Sequence, residues 1–578
     1  SVAISAGALQ NQNFTTATDA YNVAIGFQAG NDITTGINNT LIGGLAGDAI
    51  TDADYNVAVG YGSLGANTVG SRSVAIGFNA LEFQNPATAA TMYNVAVGAS
   101  AGASVTTGVN NTIVGGLAGD AFTDADDNVA VGVTALTADT LGSRSVAIGR
   151  SALEAQNFTT ATNAYNVAVG TLAGGAVTTG VQNAIFGGLA GDALTDADNN
   201  VAVGYTALSA DTLGSQSTAI GYRALRNQNF TTATNALNVA VGAEAGKSIT
   251  TGVQNTLVGA LAGDALTNAN TNVAVGVGAI GSDTLGGSAV AIGSFALGSQ
   301  NFTTATTSYN VAVGQSAGGS ITTGIQNVLM GGLAGDALTD ADFNVAIGTS
   351  ALSTDTLGSK SVAIGHGALD VQNFTTATDT FNTAVGYLAG AAVTTGVQNT
   401  LIGGLAGDSL TDADFNVAVG VTALDADTLG SRSTALGYAA LTAQNFTTAT
   451  NTYNTAVGFQ AGAAVTTGTI NTLIGGLAGD ALTTGDSNVA MGYNALSGDT
   501  EGDRNVAVGA GALHNQNFTT TTDSYNVAVG YEAGGSISTG KENTLFGALS
   551  GDFLSDADFN TAVGFGSLSG DALGSRST

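Results

Sequence analysis

An all-β chain wound as a parallel β-solenoid, a β-roll, is the fold that this sequence predicts, and three observations predict it. The tetrad Val-Ala-Ile/Val-Gly recurs along the 578 residues, nearly always after Asn or Ser. Its starts fall at Ser1, Asn22, Asn39, Asn56 and Ser73, spacings of 21, 17, 17 and 17, and this quartet returns every 72 residues until Ser577. Gly occurs 85 times against a single Pro, without Cys or Trp and with only 9% charged residues. A fixed period with glycine corners marks stacked units that each bury their apolar face on a neighbour.

Each element of that reading has its own basis. The domain prediction is one continuous solenoid over 1–578, in eight repeats of four coils: 1–72, 73–144, 145–216, 217–288, 289–360, 361–432, 433–504 and 505–576. In Asn56-Val57-Ala58-Val59-Gly60, alternation puts Val57 and Val59 on one face and Ala58 on the other. The larger side chains are expected inside, so Val23, Ile25, Val57, Val59, Val74 and Ile76 are predicted to be buried. Ala24, Ala58 and Ala75 are then expected to pack against another protein layer, with a homotrimer axis the natural one. Leu64 and Leu81 belong to a second apolar stretch that helps to fill a narrow interior. The Asn or Ser before each strand is expected to stack as a ladder. Helix is disfavoured, because Gly interrupts every few residues. Thirty-two rungs at roughly 4.8 Å each would give a rod of about 150 Å.

The coils differ. The second carries a Thr-Thr-Gly corner (Thr34 to Gly36), the third a Gly-Gly-Leu-Ala-Gly-Asp segment with an acidic turn, and the fourth an Asp-Thr-Leu-Gly-Ser end (Asp139 to Ser143). The 21-residue coil adds Asn-Phe-Thr-Thr-Ala-Thr (Asn13 to Thr18), expected to bulge outward once per repeat.

A net charge of −31 argues against nucleic acid and against polybasic attachment to a membrane. No apolar run reaches the length of a membrane helix, so no membrane insertion is expected in this segment. The inventory for catalysis is poor, and no enzyme is expected. His366 and His514 stand in nonequivalent places, Cys is absent, and Gly43 to Gly47 lacks the Lys of a phosphate loop. The acidic turn is the one recurrent candidate site. Asp48, Asp52 and Asp54 return as Asp120, Asp124 and Asp126, and as Asp192, Asp196 and Asp198. The fourth copy has Asp264, Asn268 and Asn270, and the seventh Asp480, Thr484 and Asp486. Oxygen-only ligands suit Ca²⁺, the one cofactor expected; the competing reading is that Asp and Asn simply favour turns. Thr tracts on particular coils give no dense lattice for ice, and Asn-Phe-Thr (Asn13, Asn157, Asn229) reads as a chance match to a glycosylation acceptor.

From Gly70 to Ala80 (Gly-Ser-Arg-Ser-Val-Ala-Ile-Gly-Phe-Asn-Ala) the chain resembles the head repeats of YadA-like trimeric autotransporter adhesins, and Asn454-Thr455-Ala456-Val457-Gly458 resembles related bacteriophage tail-fibre repeats. The resemblance covers nearly the whole chain through a short, degenerate motif, in coils longer than the family's. It implies a left-handed β-roll, assembled as a homotrimer on a bacterial or virion surface. The function expected is a structural or adhesive extracellular fibre segment that carries attachment to an unknown surface ligand. The alternatives are a phage tail or receptor-binding fibre and a filament subunit polymerising head to tail. Neither end carries a capping repeat, from which a window of a longer chain or end-to-end contact is expected.

Overall fold

In the computed structural model, which describes residues 1–578, the apolar triplet of each coil is a three-residue strand: Val2–Ile4, Val23–Ile25, Thr40–Ile42, Val57–Val59, Val74–Ile76 and so on to Thr561–Val563. There is no helix. The chain forms two compact units, Ser1–Ser288 with Phe302–Thr307, and Ala289–Asn301 with Ser308–Thr578. Within the first, Val2 pairs with Val23, Val23 with Thr40, Thr40 with Val57 and Val57 with Val74, all parallel. Within the second, Val290 pairs with Val311, Val311 with Val328, Val328 with Val345 and Val345 with Val362. One coil is therefore one rung, with the 21, 17, 17, 17 order read from the sequence, and each unit is a parallel β-solenoid.

The strand faces are the reverse of the expectation. Ala24, Ala58 and Ala75 point into the solenoid and are 0% exposed, as is Leu41 on the third coil. Val23, Ile25, Val57, Val59 and Val74 are only half-buried on the outer face, and Ile76 is 39% exposed. The reason lies one residue upstream. Asn56 is fully buried, and by the strand's period of two it shares its face with Ala58. Its Nδ2 crosses the interior to donate to the carbonyl of Gly70 (3.1 Å), as Asn22 does to Gly36 and Asn39 to Ala53 (both 2.8 Å). Walls close enough for an Asn to span leave room beside it for Ala. The second protein layer that the small residues call for is the opposite wall of the same coil.

The large buried side chains differ from rung to rung. Rungs with Ala on the strand bury Leu64, Leu81 or Ile33 elsewhere in the coil, whereas the third rung buries both Leu41 and Ile50. The Asn ladder runs along this core. Asn22 Oδ1 accepts the Asn39 N–H (2.9 Å), Asn39 Oδ1 that of Asn56 (3.0 Å), and Asn56 Oδ1 that of Ser73 (2.9 Å). Ser73 is too short to continue, and Gln84 bridges from its hydroxyl to Asn94 Nδ2 (2.9 Å). At the strand end the chain turns at Gly60, whose φ is 137° and whose added Cβ would lie 2.3 Å from the Gly77 oxygen. Only glycine fits such a rung-to-rung approach.

The Asn-Phe-Thr insertion is partly outward and partly anchored. Asn157, Thr159 and Thr160 are exposed, while Phe158 turns inward and is buried. Just beyond it Thr162–Asn163 pairs in parallel with Gly142–Ser143 of the preceding coil.

Candidate functional site

The acidic turn is built into the ladder between rungs. Thr35 Oγ1 donates to Asp52, the Ile37 N–H donates to Asp54 Oδ1 (2.8 Å), and the Asp54 N–H donates to Ser71 Oγ (2.9 Å). The second copy repeats this, with Thr107 on Asp124 (2.5 Å) and the Val109 N–H on Asp126 (2.8 Å), and the third with Thr179 on Asp196 (2.5 Å) and the Val181 N–H on Asp198 (2.8 Å). Asn268 and Asn270 take the same bonds from Thr251 and Val253 (both 2.8 Å), which explains how an amide replaces the carboxylate. Asp48 lies apart from this turn, in a hollow with Tyr61, Asn79 and Glu82. No group of three or more His, Asp or Glu is arranged to hold a metal ion.

Asp48 and its equivalents are half-buried. Burial pushes the carboxyls of Asp48, Asp192, Asp264, Asp336 and Asp480 above their ordinary range. Thr137 satisfies Asp120 at 2.5 Å, whereas Oδ1 of Asp192, Asp336, Asp480 and Asp552 is buried without a donor. At one place the residue of the next rung is itself acidic. Asp425 stands where other repeats have Gly65, Thr137, Ser209 or Ser353. Burial first, then the hydrogen bond and charge of Asp425, push Asp408 up to about 7. Like charges on adjacent rungs favour the protonated form of Asp408.

A second set of carboxylates, expected from Asp139 to lie on the next rung beside the acidic turn, is instead drawn inside the coil. Asp139, Asp211, Asp355, Asp427 and Asp499, in the Asp-Thr-Leu-Gly type segment, are 0% exposed. Asp139 Oδ1 accepts the N–H groups of Gly142 (3.0 Å) and Phe158 (3.3 Å), and Oδ2 accepts Gln156 Nε2 (2.5 Å). Gln156 in turn accepts Asn166 Nδ2 (2.9 Å). The network clamps the inserted segment to the coil before it. Burial outweighs these bonds and raises the carboxyls of Asp139, Asp355 and Asp499. The signal was present as a Gln 17 residues after each Asp, in register on the next rung.

The outer face carries the remaining candidates. Along each unit the strands present Val, Ile, Thr and occasional Met or Phe, with Ile148, Phe186, Met330, Ile402 and Phe546 exposed. One edge of this face is lined by aromatic and cationic side chains in register. The Arg72 guanidinium sits 5.5 Å from the Tyr55 ring centre and 5.8 Å from that of Tyr93, on the rungs to either side. Arg432 lies likewise between Phe415 (5.3 Å) and Tyr453 (5.7 Å). Along the other edge, rings on adjacent rungs stack: Tyr61 on Phe78 with centres 5.8 Å apart, Tyr205 on Tyr222 at 6.2 Å, and Tyr438 on Phe459 at 5.4 Å. No protein-family model matches the chain, and no curated protein matches it in sequence.

Proposed function

We propose that this chain is a segment of a structural or adhesive extracellular fibre, on a cell or virion surface, and that it self-associates as a homotrimer through its outer sheet face. The observation that carries the proposal is the half-exposed apolar column of strand residues at successive rungs, flanked by polar turns. Isolated apolar residues on a surface need no explanation, but a contiguous row at this density marks a contact surface. Uninterrupted coils support a scaffold role. The left-handed sense implied by the adhesin-like motif belongs to the same proposal. Sedimentation of the 56.1 kDa chain is expected to give three times the monomer mass. Ile76→Lys with Val97→Lys and Val114→Lys, all on the outer face, is expected to leave a folded monomer by circular dichroism. A wild-type chain that stays monomeric at tens of micromolar would overturn the assembly.

A further inference from the structure

The column of residues that follow the strand glycine varies between repeats: Phe78, Tyr222, His366 and Tyr438 carry a ring, whereas the equivalent Arg150, Ser294 and Ala510 do not. In the first repeats Phe78 stands beside Tyr61, and in a later one Tyr438 stands beside Phe459. At the corresponding rungs near residue 500 the column reads Tyr493, Ala510, Tyr531. The strand register makes these three positions equivalent, since Met491 pairs with Val508 and Val508 with Val529. Two rings are thus held two rungs apart, roughly 9–10 Å, over a methyl group where Phe78 and Tyr438 place a ring in other repeats. The space measures about 220 Å³ and is also lined by Asn494, His514 and Glu532. Tyr493 and Tyr531 are 61% and 56% exposed, so the slot is open to solvent.

The polar groups of the slot select its occupant. His514 is already satisfied: Nδ1 lies 2.8 Å from the Gly511 carbonyl oxygen and so carries the proton, and Nε2 accepts Asn515 Nδ2 at 3.0 Å. Asn494 Oδ1 is buried and accepts no hydrogen bond. Glu532 belongs to no ion pair, and its carboxylate raises the Tyr531 hydroxyl through the hydrogen bond between them. The slot therefore offers two ring faces, a carboxylate and an orphaned acceptor. A planar cation rich in N–H donors answers all of these. The molecule already contains the filled version of this arrangement: Tyr55, Arg72 and Tyr93 follow the same 17 and 21 spacing on the opposite edge, with the guanidinium between the rings.

We propose that the slot between Tyr493 and Tyr531 is a binding site for a guanidinium group, stacked between the two rings over Ala510 with its donors on Glu532 and Asn494 Oδ1. The group comes from a small alkylguanidine or from an arginine side chain of another protein. The experiment is saturation-transfer NMR and calorimetry on the full chain with ethylguanidinium and with an acetylated arginine amide, alongside butylammonium and a neutral methyl glucoside. Both guanidines are expected to bind more tightly than butylammonium, and binding weakens as salt is raised. The tighter of the two guanidines identifies the source. Ala510→Phe, the residue that Phe78 already places at this position, is expected to abolish binding in a folded chain. Glu532→Gln is expected to raise Kd ~10-fold. Guanidines that fail to bind, binding unchanged in both variants, or glucoside binding as tightly as the guanidines would each overturn the site.

Discussion

Asn56 is the residue on which the interior turns. Its amide accepts the Ser73 N–H at 2.9 Å and donates to the Gly70 carbonyl at 3.1 Å, both out of contact with water. Asn56→Ala leaves the buried Ser73 N–H unpaired, while the Gly70 carbonyl keeps its bond from Asn67 Nδ2 (2.7 Å), and is expected to cost about 1–3 kcal/mol, read as a lower urea midpoint and as loss of hydrogen-exchange protection at Ser73. Asp139 behaves differently, because the first repeat carries Asn67 in its place. There the Asn67 side chain closes on Gly70, accepting its N–H at 3.0 Å and donating to its carbonyl at 2.7 Å. Asp139→Asn is therefore expected to fold. Burial holds the Asp139 carboxyl above its unfolded value, so the folded state keeps a proton that the unfolded chain has lost. Stability then falls as pH rises from about 4 through the raised pKa. Urea titrations at pH 4 and 7 should show a smaller difference in the Asn variant.

At the scale of the coil, the 21-residue rung is held by contacts that the other three do not need. Phe158 fills the space beneath the insertion, and the Asp139–Gln156–Asn166 chain ties it to the rungs on either side. The Asp408–Asp425 pair joins a third coil to a fourth, where other repeats have Gly, Ser or Thr. Asp408 lies near 7 when folded and near 3.8 otherwise, so the folded state binds the extra proton between those limits. Stability contributed there is present below about pH 4 and lost as pH rises through 7. Asp425→Ser, the residue found at positions 209 and 353, is expected to flatten that slope and to raise the melting temperature at pH 8 relative to the wild type. Because Asp408 is partly solvated, screening keeps the effect small. A steeper loss of stability above pH 7 in the variant would contradict the raised Asp408 carboxyl.

For the whole molecule, charge and apolar surface act against each other. A net charge of −31 on every copy opposes association, while the outer face favours it. Self-association is accordingly expected to strengthen between 20 and 300 mM salt as repulsion is screened. Sedimentation across that range measures it, and association that weakens with salt would instead point to contacts between opposite charges. Each of the two compact units carries the same face, so the Lys substitutions near Ile76 probe the first unit and equivalents near Ile364 probe the second.

The rung order, the parallel pairing and the Asn ladder were legible in the amino-acid sequence, because a period of 21, 17, 17 and 17 leaves one way of stacking Val23 on Val2 and Thr40 on Val23. Which strand face is interior was not decided by alternation alone. Val57 and Ala58 are both apolar, and size suggests that the larger is buried. The tertiary structure reverses that choice, because a coil whose walls are bridged by a single Asn side chain admits Ala beside it and turns Val outward. It likewise decides the fate of the acids. Asp52 and Asp54 become rungs of a hydrogen-bond ladder, Asp139 is drawn inside by Gln156, and Asp408 meets Asp425, since each bond joins residues 17 apart. The period reveals which residues are neighbours; the distance between the walls determines which of them face each other.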